Sequence, residues 1–372
     1  MKSQHHILII GAGVIGLSLG WKLLQAGRRV TLLEKGETAR EASWVGAGML
    51  APVGEVHFKE EGIMRLGRES LALYPDFVAE LRAFTGMEVE YRTEGMLGVS
   101  LHADDTAEMR RLFEFQLELG LNVEWLGADR IQRLEPSLTH NAVGGIFAPG
   151  DHSIDTRALN AALKAAFLKA GGELLENTPV DEVCLSEQAP HKVIAGGQEY
   201  AAETLVLAAG AWSGMIPGLQ GALRPLVRPV KGQIITLQAQ PGFLTHTLRT
   251  VDVYMVPRAD GRVVVGATVE EMGFNRDITV GGVFELLRGA WRALPGVYEM
   301  PLLETVVGFR PGSRDNAPLL GETDIPGFFL ATGHYRNGIL NAPATAVYLS
   351  RQITGQSVPE FFGEFSPGRF HA

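Results

Sequence analysis

Four apolar residues, Ile7 to Ile10, run straight into Gly11-Ala12-Gly13-Val14-Ile15-Gly16, and a second apolar run, Val30 to Leu33, ends in the acid Glu34. No other feature of the chain constrains its fold as strongly. A strand that breaks at a G-x-G-x-x-G turn, continues as a helix and returns as a second strand is a βαβ unit that binds a dinucleotide. Gly11 permits the tight turn, Gly13 lets the backbone approach a pyrophosphate, and Gly16 lets the helix pack closely on its strand. Val14 and Ile15 complete the group expected against the cofactor. Glu34, about 20 residues on, accepts a hydrogen bond from a ribose hydroxyl, and Gly27 stands where the helix should stop.

The rest of the chain bounds what carries this unit. A length of 372 residues allows about two domains, and 46% hydrophobic with 20% charged residues suits a globular core. A net charge of -9 with no basic cluster argues against a nucleic-acid partner. No apolar run approaches the roughly 18 residues of a membrane span, and the start of the chain leads directly into the first strand without room for a cleavable signal. The expected location is cytoplasmic. Cys184 is the only cysteine, so no internal disulfide and no cysteine-based metal cage is expected, and no metal site. It is expected to be buried and inert in the strand-like Val180 to Leu185.

Later segments choose between a nicotinamide and a flavin. Thr204 to Ala209 is an apolar run whose tip, Gly210-Ala211-Trp212, can lie against a cofactor. Gly327 to Ala331 reads as another strand, breaking at Thr332-Gly333-His334-Tyr335-Arg336-Asn337-Gly338 before a helix from about Ala342 to Ile353. Strand-turn segments spread over the whole chain imply one cofactor domain assembled from discontinuous pieces, which favours a flavin. Ser43-Trp44-Val45-Gly46-Ala47-Gly48-Met49-Leu50 supplies small residues that pack on a flat ring, with amides that can point at its heteroatoms. Met87 to Ser100 and Pro225 to Val269 are rich in β-branched and aromatic residues and read as an antiparallel sheet. Thr106 to Gly120 reads as a helix inserted there.

Taken together, G-A-G-V-I-G, the S-x-x-G-A-G-M-L loop, L-A-A-G-A-W-S, P-V-K-G-Q (229–233), Y-M-V-P-R (254–258), G-F-R-P-G (308–312) and G-H-Y-R-N-G-I-L (333–340) resemble a known family. The chain is similar, over essentially its whole length, to the flavin-dependent amine oxidases of the D-amino-acid oxidase class. Within that class it resembles the bacterial glycine oxidases that feed thiazole synthesis for thiamine. The fold implied is α/β plus α+β: a discontinuous Rossmann-like FAD-binding domain (1–84, 150–222 and 305–372) with an inserted antiparallel-sheet substrate domain (85–149 and 223–304). The resemblance implies non-covalent FAD, since Cys184 lies in no segment matching the cysteine to which related sarcosine oxidases attach their flavin. It implies hydride transfer to the flavin and conversion of glycine, water and oxygen to glyoxylate, ammonia and hydrogen peroxide. The partners implied are a small amino acid and O2, with no nucleic acid and no membrane; a homo-oligomer is left open. Ser43, Ala47, Gly48, Met49, Val180, Gly210, Trp212, His334, Arg336, Asn337, Gly338, Ile339 and Leu340 join the first motif as cofactor contacts. Two departures bear on substrate choice: Val269 stands where a glycine oxidase has methionine, and Asp252 where one has histidine.

The residue chemistry runs parallel to the resemblance. Oxidising an α-amino acid on a flavin requires a cation for the substrate carboxylate and a way to stabilise negative charge on the reduced ring. Arg310 is the leading anchor because a guanidinium offers a planar bidentate fork; the resemblance adds a phenolic hydrogen bond from Tyr254. The turn 333–340 can direct helix N-terminal amides at the ring, with Arg336 adding to that field or closing the mouth of the site. His334 is read as a structural hydrogen-bonder rather than a base, and Lys231 as a solvated charge in a P-V-K-G turn. Alternatives remain: a D-amino-acid dehydrogenase passing electrons to a quinone, a sarcosine or D-amino-acid oxidase, or a flavoprotein that only binds.

Overall fold

Strand alternation divides the first strand between two cores. In β1 (His6–Ile10), Ile7 and Ile9 face one hydrophobic cluster while Leu8 and Ile10 face another, as the side chains of a strand buried on both faces must. The computed structural model describes residues 5–370. β1 leads through the glycine turn into α1 (Val14–Gln25) and back as β2 (Arg29–Leu33), which pairs with β1 in parallel. They belong to a six-stranded sheet in the order Leu319–Glu322, Phe328–Thr332, Thr204–Leu207, β1, β2, Glu173–Leu175. Every pair is parallel except the outermost, Leu319–Glu322 on Phe328–Thr332. Strands from the start, middle and end of the chain therefore share one sheet. Helices Glu61–Thr85, Thr156–Lys169 and Gly338–Ile353 join α1 over one face. A three-stranded antiparallel sheet, Val180–Cys184, His191–Ala195 and Gln198–Ala202, covers the other.

A second, eight-stranded sheet runs Leu302–Gly312, Arg228–Gln238, Arg262–Gly266, Tyr254–Pro257, Thr247–Arg249, Met96–Ser100, Gly144–Ala148, Glu124–Gly127. One face is closed by helix Val280–Ala293 with Ile235, Leu237, Met255, Val263 and Val265 in its core. The alternate residues, Ile234, Val256 and Val264, point the other way and pack with Val45, Ala47 and Met49 of the first domain.

Several expectations are corrected here. The strand Leu302–Gly312 pairs along its length with Arg228–Gln238, so the boundary at 305 falls inside a strand of the second sheet. That sheet contains one parallel pair, Thr247–Arg249 with Met96–Ser100, because a long connection separates those strands. The inserted helix spans Ala103–Glu118 rather than 106–120. Cys184 is exposed: strand alternation turns Val183 into the core and its neighbour outward. Lys231 is no turn residue but lies within the strand Arg228–Gln238 and is completely buried.

The C-terminal helix starts at Gly338, ahead of the expected Ala342, despite Pro343 within it. Proline has no N–H to offer the carbonyl one turn back, at Ile339. The Tyr74 hydroxyl donates to that carbonyl at 2.5 Å, and Ser70 Oγ donates to the next one, Leu340, at 2.6 Å. Two side chains of the 61–85 helix thus replace the missing ladder bond and let the helix begin early. Tyr74→Phe should leave the buried Ile339 carbonyl unpaired and cost about 1–3 kcal/mol. A thermal or urea unfolding curve unchanged from wild type would contradict this.

Candidate active site

The two domains enclose a cavity of ≈ 490 Å³ that begins at the βαβ turn and ends on the second sheet. At its first end Gly11 has φ 106°, and a Cβ there would lie 2.4 Å from the Ala208 carbonyl oxygen, so only glycine fits. A Cβ on Gly16 would lie 1.9 Å from the Gly11 carbonyl oxygen; the helix packs against its own turn because that atom is absent. α1 is capped by Gly13 with no side-chain cap and has no acid in its first turn. Such a helix start favours an anion. Glu34 accepts from the amides of Ala12 (2.9 Å) and Gly36 (3.1 Å) and still borders the cavity, leaving lone pairs for a ribose hydroxyl.

The cavity wall includes Gly11, Gly13, Val14, Ile15, Glu34, Ser43, Ala47, Gly48, Met49, Val180, Gly210, Trp212, His334, Arg336, Gly338 and Ile339 of the expected cofactor contacts, together with Arg310 and Tyr254. Three expected contacts lie off it. Gly16 serves helix packing. Asn337 is the N-cap of the C-terminal helix, its carbonyl accepting from Asn341 at 2.8 Å. Leu340 packs over Gly67. The 43–49 loop is held from several sides: Ser43 Oγ accepts from the Val14 amide (3.0 Å), and the buried Arg258 donates to the Ala47 carbonyl (2.6 Å).

At the other end the cavity floor is the second sheet, and two glycines shape it. A Cβ on Gly232 would lie 2.5 Å from the Arg310 guanidinium, and one on Gly266 would lie 2.4 Å from the Tyr254 ring. Arg310 and Tyr254 therefore lie against bare backbone. Arg310 Nη1 donates to the Thr268 carbonyl at 3.1 Å and to the Lys231 carbonyl at 3.4 Å. Burial raises the Tyr254 phenol above its ordinary value, with the Arg310 charge pulling the other way, so Tyr254 stays a neutral donor near pH 7.

The sequence reading missed the ion pairs around this end. Arg249, beside Tyr254 in the sheet, is bound by Glu55 at 2.5 Å, and Arg336 by Glu60; Arg336 also donates to the Glu55 carbonyl at 3.2 Å. The loop carrying Glu55 and Glu60 has no periodic pattern to mark it. Among the described residues, Arg310 is the one cavity arginine that no carboxylate pairs, since Arg40 is bound by Glu37. His57 also borders the cavity, its pKa lowered by burial and by the charges of Arg336 and Arg249. Asp252 and Val269, the two departures, both line the wall; Asp252 is paired with Arg292 at 3.2 Å.

His334 makes the structural bond expected of it, Nε2 to Thr345 Oγ1 at 3.0 Å, and burial drives its pKa down to about 3. It is no base at neutral pH. Lys231, expected to be solvated, is buried beneath Arg310: its Nζ donates to the Asp277 carbonyl at 2.7 Å and pairs with Glu270 at 3.2 Å. A lysine in a P-x-K-G stretch reads as a turn only until the strand on each side of it is known.

A family model described as FAD dependent oxidoreductase matches residues 6–352. A glycine oxidase from Geobacillus kaustophilus is 33% identical over 353 residues, covering 94% of this chain and 93% of that one. A bifunctional protein ThiO/ThiG from a Synechocystis strain is 34% identical over 378 residues, covering 100% of this chain and 55% of that one. The crystal structure of the Geobacillus kaustophilus glycine oxidase superposes with a TM-score of 0.92 at 31% identity, covering 98% of this chain and 99% of that one.

One further group supports the mouth of the site. Asp151 is fully buried and accepts from the amides of Val53 (3.2 Å) and Gly54 (2.6 Å), at the base of the loop that carries Glu55. Burial, opposed by those two hydrogen bonds, raises its pKa from 3.8 to about 7. Between those values the folded protein holds a proton that the unfolded chain releases, so this contribution to stability is present below pH 4 and is lost as pH rises to about 7. The stability of wild type relative to Asp151→Asn should fall over that window by up to about 1.4 kcal/mol per pH unit. A difference that stays flat from pH 4 to 7 would show that Asp151 titrates as an ordinary carboxylate.

Proposed function

This chain belongs to the FAD-dependent oxidoreductase family, and we propose that within it the protein is an oxidase of glycine and other small amino acids. FAD, when bound, supplies the two-electron acceptor and passes the electrons to oxygen. The residues on the cavity wall fit that group: the positive dipole end of α1, whose cap residue Gly13 brings no side chain, for its pyrophosphate, Glu34 for a ribose, and the small-residue loop Ser43–Met49 for a flat ring. The start of the C-terminal helix, also without a side-chain cap, adds a positive dipole end. Attachment is non-covalent on this reading, because the chain's one cysteine, Cys184, is not on the wall.

The observation that carries the substrate assignment is the unpaired charge of Arg310. A guanidinium held against bare backbone by carbonyl acceptors, beside a neutral phenol, suits a carboxylate taken bidentately by the first and hydrogen-bonded by the second. With its carboxylate so fixed, an amino acid presents its α-carbon to the rest of the cavity in one orientation. Glycine loses two electrons and two protons to give its imine, and water converts the imine to glyoxylate and ammonia. Oxygen takes the electrons and protons as hydrogen peroxide. On this reading the amine reacts unprotonated, and His334, its ring bonded to Thr345 and its basicity lowered by burial, takes no proton from it. The product would serve thiazole synthesis for thiamine, as the resemblance of the sequence implies.

Arg310→Ala should remove a charge-assisted pair worth about 1.5–3 kcal/mol, which is roughly 10- to 200-fold in glycine kcat/KM, with FAD content unchanged. Gly232→Ala should act similarly with an intact fold, because the added methyl group displaces only the flexible end of Arg310. Lys at 310 should recover part of the binding without the alignment. An Ala variant that keeps full FAD and near-normal glycine efficiency would place the carboxylate anchor elsewhere.

A further inference from the structure

Directly behind Arg310 lies a charged cluster, Lys231 with Glu270, that does not line the cavity. Lys231 is 0% exposed. Its Nζ donates to the Asp277 carbonyl (2.7 Å) and to Asn275 Oδ1 (3.4 Å), and pairs with Glu270 (3.2 Å). Glu270 accepts in turn from Thr268 Oγ1 (2.5 Å) and Gln233 Nε2 (2.7 Å), while the Gln233 amide donates to Thr268 Oγ1 (2.8 Å). The backbones of Lys231 and Glu270 also exchange a pair of hydrogen bonds, at 2.9 and 3.0 Å. The 268–277 stretch, which has no helix or strand of its own, is thus tied to the sheet by the backbone pair of Lys231 and Glu270, by Gln233 and by the buried ammonium. This stretch supplies the Thr268 carbonyl that holds Arg310, and it carries Val269 on the cavity wall.

A buried charge is costly unless it is paired and bonded, and a hydrophobic residue would fill the same space in a sheet without that cost. What the ammonium does that a methyl group cannot is bind the Glu270 carboxylate, which accepts from the Thr268 hydroxyl, and the Asp277 carbonyl, and so brace the stretch on both sides of Val269 and Glu271 against the sheet. We propose that Lys231 is a positioning residue for the substrate carboxylate: its contacts with Glu270 and Asp277 fix the Thr268 carbonyl, which aims the Arg310 guanidinium. The inference rests on Arg310 being the anchor. It assigns to Lys231 an effect on substrate binding that passes through Arg310.

The test uses FAD-loaded protein and glycolate, which keeps the carboxylate of glycine but not its amine, with Kd read from the perturbation of flavin absorbance. Lys231→Met should weaken glycolate by about tenfold, leave FAD content intact, and leave the rate of flavin reduction at saturating glycine close to wild type. In an Arg310→Ala background the same substitution should have no further effect on glycolate, because the residue it acts through is gone. Independent, multiplicative losses, or a fall in saturating rate matching the fall in affinity, would overturn the proposal. So would unchanged glycolate affinity. If Lys231→Met does not accumulate as FAD-loaded protein, Glu270→Gln decides: it keeps size and hydrogen bonding but removes the ion pair, and should give a smaller loss with the same dependence on Arg310. Full glycolate affinity in Arg310→Ala itself would instead overturn the anchor assignment, and with it this one.

Discussion

The substrate end of this protein depends on the absence of side chains from its sheet. Gly232 and Gly308 are opposite one another on adjacent strands, and their shared face is bare. Arg310 occupies the space over the first, and Val45 from the other domain occupies the space over the second, 2.9 Å from where a Cβ would stand. One patch of exposed backbone thus receives both the cation and the loop that continues to Ala47, Gly48 and Met49. Gly266, one strand over, does the same for the Tyr254 ring. A methyl group at any of the three would lift an anchor off the floor or push the domains apart.

Charge arrangement follows from that geometry. Among the described residues four arginines border the cavity, and three are neutralised locally by Glu37, Glu55 and Glu60. Two of these pairs, Glu55–Arg249 and Glu60–Arg336, tie a single loop across to the second sheet and to the turn before the C-terminal helix, so they close the cavity as well as cancelling charge. Arg310 is satisfied by carbonyl dipoles, which orient a guanidinium without discharging it. It therefore keeps its attraction for an anion on the floor of the cavity.

Most of the cofactor end was legible in the sequence, because its chemistry is carried by backbone and glycine. Gly11, Gly13 and Glu34 sit in one contiguous motif whose spacing is dictated by a strand, a turn and a helix. The charged surroundings of the substrate end were not legible, since they are assembled from residues remote in the chain. Nothing local to Glu55 points to Arg249, 194 residues away, and nothing in P-V-K-G tells a buried lysine from a solvated one until Glu270 and Asp277 are folded over it. Cys184 shows a subtler limit: its strand was recognisable, but which of two alternating faces meets the core depends on the layer packed there. The C-terminal helix begins four residues before the expected Ala342 because Tyr74, from another helix, supplies the donor that Pro343 cannot.

The central claim, that the cavity is an oxidase site for a small amino acid, is tested most directly by mixing the FAD-loaded protein with glycine in the absence of oxygen and then admitting air. Rapid loss of the yellow flavin absorbance on mixing, and its rapid return with hydrogen peroxide on exposure to air, is the predicted result. Flavin that stays oxidised in the presence of glycine would contradict the substrate assignment, and flavin that bleaches but recovers only slowly in air would make the protein a dehydrogenase with another electron acceptor.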